Sequence, residues 1–258
     1  MQTVTRRRAV WGLLVVTIVW GATFIWMKQA MNALQSEIDF YGQTAVVSVL
    51  VGGRFLIAAV ALFIGSSKAR AALREKELWS GGTVLGLILL VGFTTQMVGI
   101  DTISPSTSAF LTSLYVVFTA MISTKMTGQP VTRMMIAGVL LATFGAGFIE
   151  GPPHLSWGKG EILTVICAFF FALHIIFTQS ITQRMDPLGV TITSFLVVSI
   201  GSLAISLLMG GEDTLKLWEL TLQQDVLVPL LCLGPVSYTH LRAHETRGNL
   251  VCRRRREK

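Results

Sequence analysis

The sequence predicts an all-α integral membrane protein, a polytopic bundle of about seven transmembrane helices with a partial eighth. Three observations predict it. Only 14% of the 258 residues are charged while 52% are hydrophobic, and mean hydropathy is +0.64. A soluble domain carries about 25% charge, so this chain lacks the residues for a charged shell. The apolar residues cluster into stretches of about 20, the length that crosses a hydrocarbon core roughly 30 Å thick. Strand-like alternation is absent, which argues against an outer-membrane barrel, and long apolar runs satisfy their backbone in lipid as helices.

Hydropathy places the spans at 9–31, 43–65, 79–100, 104–124, 133–149, 159–181 and 188–210. An eighth begins at Val226 and fades near Pro235. The triplet Arg6, Arg7 and Arg8 ahead of an apolar run imitates a signal peptide. The run from Ala9 to Met27 is long, however, and no small-x-small cleavage site follows, so it reads as an uncleaved first helix.

Basic residues in the loops set an orientation. Arg6, Arg7, Arg8, Lys68, Arg70, Arg74, Lys76, Lys125, Arg133 and Arg184 fall in one alternating set of connections. The other set holds only Lys28, Lys159 and Lys216, beside Glu37, Asp39, Asp101, Glu150, Glu212, Asp213, Glu219 and Asp225. The expected topology is multi-pass with a cytoplasmic N-terminus in a bacterial inner (plasma) membrane. The net charge of +7 is mostly that of the C-terminal end, where seven basic residues stand against Glu245 and Glu257. The body is near neutral and makes no case for a nucleic-acid partner. Cys167, Cys232 and Cys252 have no metal or redox spacing, and no cofactor is expected.

The sixth span echoes the first at an offset of 150: Trp20 aligns with Phe170, Ala22 with Ala172, Phe24 with His174, Gln29 with Gln179, Met31 with Ile181. A repeat of five helices must be inverted, the arrangement by which many secondary transporters build two alternating faces.

The run Val19 to Phe24 (VWGATF) resembles the Trp-Gly signature of EamA-type proteins in the drug/metabolite transporter superfamily. Arg54 to Ala59 (RFLIAA) resembles that family's Arg-Phe motif in the second helix. Gln96 to Gly99 and Ser104 to Phe118 resemble its passage from third to fourth helix, and Gly158 and Gly160 its glycine-flanked sixth-helix entry. The resemblance covers roughly 9–234. It implies ten helices in two five-helix repeats, and export of amino acids, metabolites or drugs. On this reading 1–150 is the first repeat and 151–235 a partial second, while 236–258 departs from the pattern. The string from Val236 to Cys252 resembles translated sequencing-adapter sequence; the other reading is a basic tail that binds anionic lipid.

Polar residues inside spans are costly and each is a candidate by default. Arg54 is the one fully charged residue deep in a span: it either attracts an anionic group of a solute or fixes the second helix by snorkelling or by bonding carbonyls. Trp20, Phe24 and Lys28 share a face of the first helix, as path lining or as packing with an interfacial lysine. Gln96 suits a zwitterion or sugar-like group, or glues two helices. Thr112 and Tyr115 fall on nearby faces, with Tyr115 able to hydrogen-bond a solute. His174, which aligns with Phe24 across the repeat, titrates near neutrality and is a proton relay or a packing residue. Phe170 completes the candidate cavity as the counterpart of Trp20. No carboxylate sits mid-span, so uncoupled or exchange transport is the default.

Gly21, Gly52, Gly53, Gly86, Gly92, Gly138, Gly145, Gly147 and Gly201 are expected to allow close helix approach. The rival readings are a truncated, inactive fragment and a membrane enzyme. For the enzyme, Gly65-Ser66-Ser67 is far in depth from His174, a His-Glu-x-x-His motif is absent, and no lysine lies in the run 188–210 for a retinal.

Overall fold

The computed structural model describes residues 2–127, 133, 136–138, 140–141, 157–210 and 214–234. Most of the expected fifth span, Gly145, Gly147 and everything from Pro235 onward lie outside the described residues. The described residues are helical throughout, and six helices among them are long and apolar enough to cross a membrane. The elements are α1 (Gln2–Ala33), α2 (Gln35–Tyr41), α3 (Gln43–Gly65), α4 (Ser67–Ala72), α5 (Lys76–Thr102), α6 (Pro105–Ser113), α7 (Tyr115–Thr127), α8 (Lys159–Thr182), α9 (Pro187–Gly210), α10 (Thr214–Leu220) and α11 (Gln224–Gly234).

Local chemistry fixes the ends. Ser104 caps α6 by accepting the Thr107 N–H at 3.1 Å, with Pro105 in the first turn. Asp186 caps α9 by accepting from the Gly189 N–H at 2.8 Å, followed by Pro187. Both are the polar-cap and first-turn-proline pairing that satisfies orphan amides. Gly42 separates α2 from α3 at φ 88°, a left-handed value that favours glycine.

The burial pattern is that of a protein in lipid. Ile18, Ile64 and Leu208 are 72%, 73% and 81% exposed, whereas Ser194, Ser202 and Thr193 are buried. Water would penalise such an outward apolar surface; hydrocarbon does not. Thr191, Thr193, Ser194, Ser199 and Ser206 on α9 donate to carbonyls three or four residues back in their own helix, so their hydroxyls enter the interior without an orphaned proton.

α5 is the central strut, packed along α8 and α9, while α9 also packs along α3. A methyl group at Gly86 would stand 2.7 Å from Val197 Cβ and 2.8 Å from the Ser194 carbonyl. One at Gly99 would stand 2.7 Å from Thr164 Oγ1 and 2.9 Å from the Gly160 carbonyl. Gly52, Gly86, Gly92 and Gly201 thus sit in tight contacts as expected. Gly53 is in ordinary contact, and among the described residues nothing lies within 4 Å of a methyl group at Gly21 or Gly138. The pairings run α9 parallel to α5 (Gly82 with Thr193, Leu90 with Gly201) and antiparallel to α3 (Gly52 with Ser202). α11 lies parallel on α3, with Gly53 near Leu230 and Gly234 near Ile57.

Candidate functional site

The fourth span is not one continuous helix. It breaks at Leu114 into α6 and α7, still within a single apolar stretch. The Leu114 N–H reaches back three residues to the Leu111 carbonyl (3.2 Å), and Ser113 Oγ donates to the Phe110 carbonyl (2.6 Å). Side-chain competition for helix carbonyls is a known cause of bending. A tightened turn within a helix often marks a functional hinge.

The break lies among four of the residues singled out from the sequence. Gln96 of α5 donates from Nε2 to Thr112 Oγ1 at 3.1 Å, with both side chains buried. Three residues on, across the break, the Tyr115 ring stands 6.2 Å from the Trp20 ring of α1, tilted by 51°. One turn ahead of Thr112, Ser108 is fully buried and its hydroxyl has no hydrogen-bond partner. A buried hydroxyl without a partner among the described residues needs an explanation, and nothing in the residue pattern sets this serine apart from others in the span.

Arg54 joins the same neighbourhood through Phe93, which lies three residues before Gln96. Its guanidinium carbon is 4.5 Å from the Phe93 ring centroid and 5.7 Å from that of Phe55, with Nη1 3.8 Å from the Met27 sulfur of α1. The residue is 4% exposed. Eleven residues into α3, it sits about 16 Å from that helix's start, near mid-membrane. It does not snorkel. A guanidinium at this depth costs about 2.5–3.5 kcal/mol on insertion scales. A desolvated ring contact returns about 2 kcal/mol, so the aromatic face offsets much of the cost. Phe93 also meets Phe171 of α8 at 5.0 Å, and Phe55 meets Phe195 of α9 at 5.2 Å, both edge-on. A lone phenylalanine in an apolar run carries no sequence signal, which is why Phe93 was not anticipated.

Phe24 is buried on α1 in the same core as Met27. Phe170 is half-buried beside Phe169, whose ring meets Phe118 of α7. His174 is buried on the α8 stripe of Gly160, Thr164, Cys167 and Phe171, which faces α5. Along α5 it falls between the levels of Gly92, which meets Phe171, and Gly81, which meets Ile181. It is therefore displaced along the membrane normal from the Gln96–Thr112 pair.

Lys28 does not line this patch. Its Nζ donates to the carbonyls of Ile100 and Asp101, at 2.9 Å and 2.5 Å, in the last turn of α5. Those carbonyls have no helical partner, and a cation suits a helix C-terminus. Asp101 Oδ2 accepts from Gln43 Nε2 at 2.8 Å, and Gln43 Oε1 accepts from Lys159 at 3.3 Å. The first residues of α3 and α8, the end of α5 and the C-terminal part of α1 are thereby laced into one polar clamp.

These features define a polytopic α-helical membrane protein whose polar and aromatic candidates meet beside a broken helix. The chain belongs to the EamA-like transporter family, which matches residues 7–150. It is also similar to an uncharacterized transporter of Archaeoglobus fulgidus, at 29% identity over 178 residues, 68% of this chain and 50% of that protein. The chain spans about half the length of the curated relative it matches.

Proposed function

We propose that this chain is a secondary transporter that moves a small metabolite, amino acid or drug across the membrane, in the direction of export. The bilayer would be a bacterial inner membrane with the N-terminus in the cytoplasm. The solute would be held by Trp20, Gln96, Thr112 and Tyr115, with Arg54, Phe24 and Phe170 around them and His174 further along the membrane normal on α8. The observation that carries this reading is the Gln96–Thr112 hydrogen bond beside the Trp20–Tyr115 pair, at the break in the fourth span. Polar side chains flanking a broken helix near mid-membrane are how secondary transporters commonly present a site. Arg54 supplies positive charge nearby and favours a solute with a carboxylate or other anionic group.

The division into a first repeat (1–150) and a partial, inverted second repeat (151–235) is part of the same proposal. It is supported by a recurrence of packing: α9 lies parallel on α5, as α11 lies parallel on α3. An inverted repeat relates these two contacts. Catalysis has no part in this reading.

The test is uptake by proteoliposomes of labelled amino acids, small carboxylates and cationic dyes. At least one solute should move faster than in protein-free liposomes. Replacing Gln96→Leu or Tyr115→Ala should slow it by about tenfold, the scale of one lost hydrogen bond or ring contact. A panel that leaks no faster than through bare lipid defeats the transport reading. Undiminished transport by both variants defeats the site.

A further inference from the structure

We propose that the cleft beside α4 binds the phosphate headgroup of an anionic phospholipid. This inference rests on the membrane-spanning fold and not on transport. α3 ends at Gly65, and Ser66 turns the chain into α4, capping it through the Ala69 N–H. Ala69 and Ala72 are buried, and Ala72 lies against Gly189 at the start of α9. That contact leaves Lys68, Arg70, Ala71 and Arg74 facing outward.

On this outward side is an open cleft of ≈480 Å³, lined by Phe63, Arg70, Ala71, Leu73 and Arg74. Phe63 and its neighbour Ile64 are 46% and 73% exposed in the last turn of a span, a position where large apolar side chains meet acyl chains. The cleft therefore straddles the bilayer boundary, with an apolar wall toward the hydrocarbon and two guanidinium groups toward the headgroups. Trp79 marks the same level, its indole N–H donating to the Leu73 carbonyl at 3.1 Å.

Arg70 is already positioned. Its Nη1 donates to the Phe63 and Ile64 carbonyls at 2.7 Å and 3.1 Å, two of the orphan acceptors at the end of α3. The N–H groups on Nε and Nη2 are left over, the fork geometry that receives two phosphate oxygens. No acidic side chain lines the cleft. Basic pockets at this depth recognise anionic headgroups. The apolar wall favours a phosphate that carries acyl chains over one free in solution.

The experiment is native mass spectrometry of the purified full chain with phosphatidylglycerol and phosphatidylcholine. Phosphatidylglycerol should bind more tightly, and Arg74→Gln should weaken it about tenfold. Lys68→Gln removes an equal charge from the adjoining helix α4 without touching the cleft, and should change little. Arg70→Lys keeps the charge but loses the fork, and should also weaken binding. Equal losses in Arg74→Gln and Lys68→Gln would reduce the effect to diffuse attraction and overturn the site. Equal affinity for phosphatidylcholine overturns it as well. So does competition by glycerol phosphate as effective as by the lipid, which would make the ligand a free phosphate.

Discussion

The two ends of α5 are held in different ways. At the Asp101 end, Gly99 packs tightly on Gly160 and Thr164 of α8, while α1 and α3 are tied on by long polar side chains: Lys28 on the last carbonyls, Gln43 on the Asp101 carboxylate, Lys159 on Gln43. At the Lys76 end, helices meet through small residues: Gly82 against Thr193 and Gly86 against Val197, with Thr193 Oγ1 to the Leu78 carbonyl as a cross-helix bond (3.2 Å). Close packing of backbone on backbone has no graded opening, since any separation forfeits many contacts at once. A clamp of extended side chains at a membrane surface can open by exchanging its partners for water. The ties from α1 and α3 at the Asp101 end are therefore expected to open more readily than the glycine contacts of α5 with α8 and α9.

Three substitutions test this contrast. The largest effect is expected for Gly86→Leu, because even a methyl group there meets Val197 and a backbone carbonyl. Overpacking costs about 1–3 kcal/mol or more, so the folded fraction in detergent should fall sharply, as read by size-exclusion yield and melting temperature. Lys28→Met comes next. It strips two hydrogen bonds from the end of α5 and should lower stability by about 1–2 kcal/mol in a reversible unfolding titration. Thr193→Val should be the mildest, below about 1 kcal/mol in the same titration, because shape is kept and membrane hydrogen bonds are worth on average about 0.6 kcal/mol. A Thr193→Val variant as damaged as Lys28→Met would erase the distinction between the two ends.

Much of this architecture was legible in the residues alone. The span expected at 43–65 is α3, Gln43–Gly65, and those at 159–181 and 188–210 agree with α8 and α9 to within a residue. Hydropathy reports length in lipid, and length is what a spanning helix must satisfy. The short elements α2, α4 and α10 were not foreseen, because six or seven residues leave no periodic trace. The break at Leu114 is silent for a different reason: no glycine or proline marks it, and serine bonds of the kind Ser113 makes leave α9 unbroken. Within the site, Trp20, Gln96, Thr112 and Tyr115 were picked as costly or aromatic residues, and the structure pairs them two by two. Phe93 and Met27 were invisible because their importance lies in facing Arg54. Lys28 had both a path and an interfacial reading; its carbonyl partners in α5 favour the structural one.

On the proposed transport reading, solute reaches the Thr112 patch when the ties of α1 and α3 at the Asp101 end open. The most direct measurement is the maleimide labelling rate of Thr112→Cys, in a chain otherwise free of cysteine, with reagent applied from that side. Thr112 is 4% exposed with the clamp formed. Adding Gln43→Leu to Lys28→Met removes three further clamp hydrogen bonds, so the combined loss exceeds that of Lys28→Met and shifts an opening equilibrium by about tenfold or more. Labelling should be about tenfold or more faster in the clamp-broken protein, with the rate at a lipid-facing control position such as Leu208→Cys unchanged. Equal rates at Thr112→Cys with and without the clamp would contradict it.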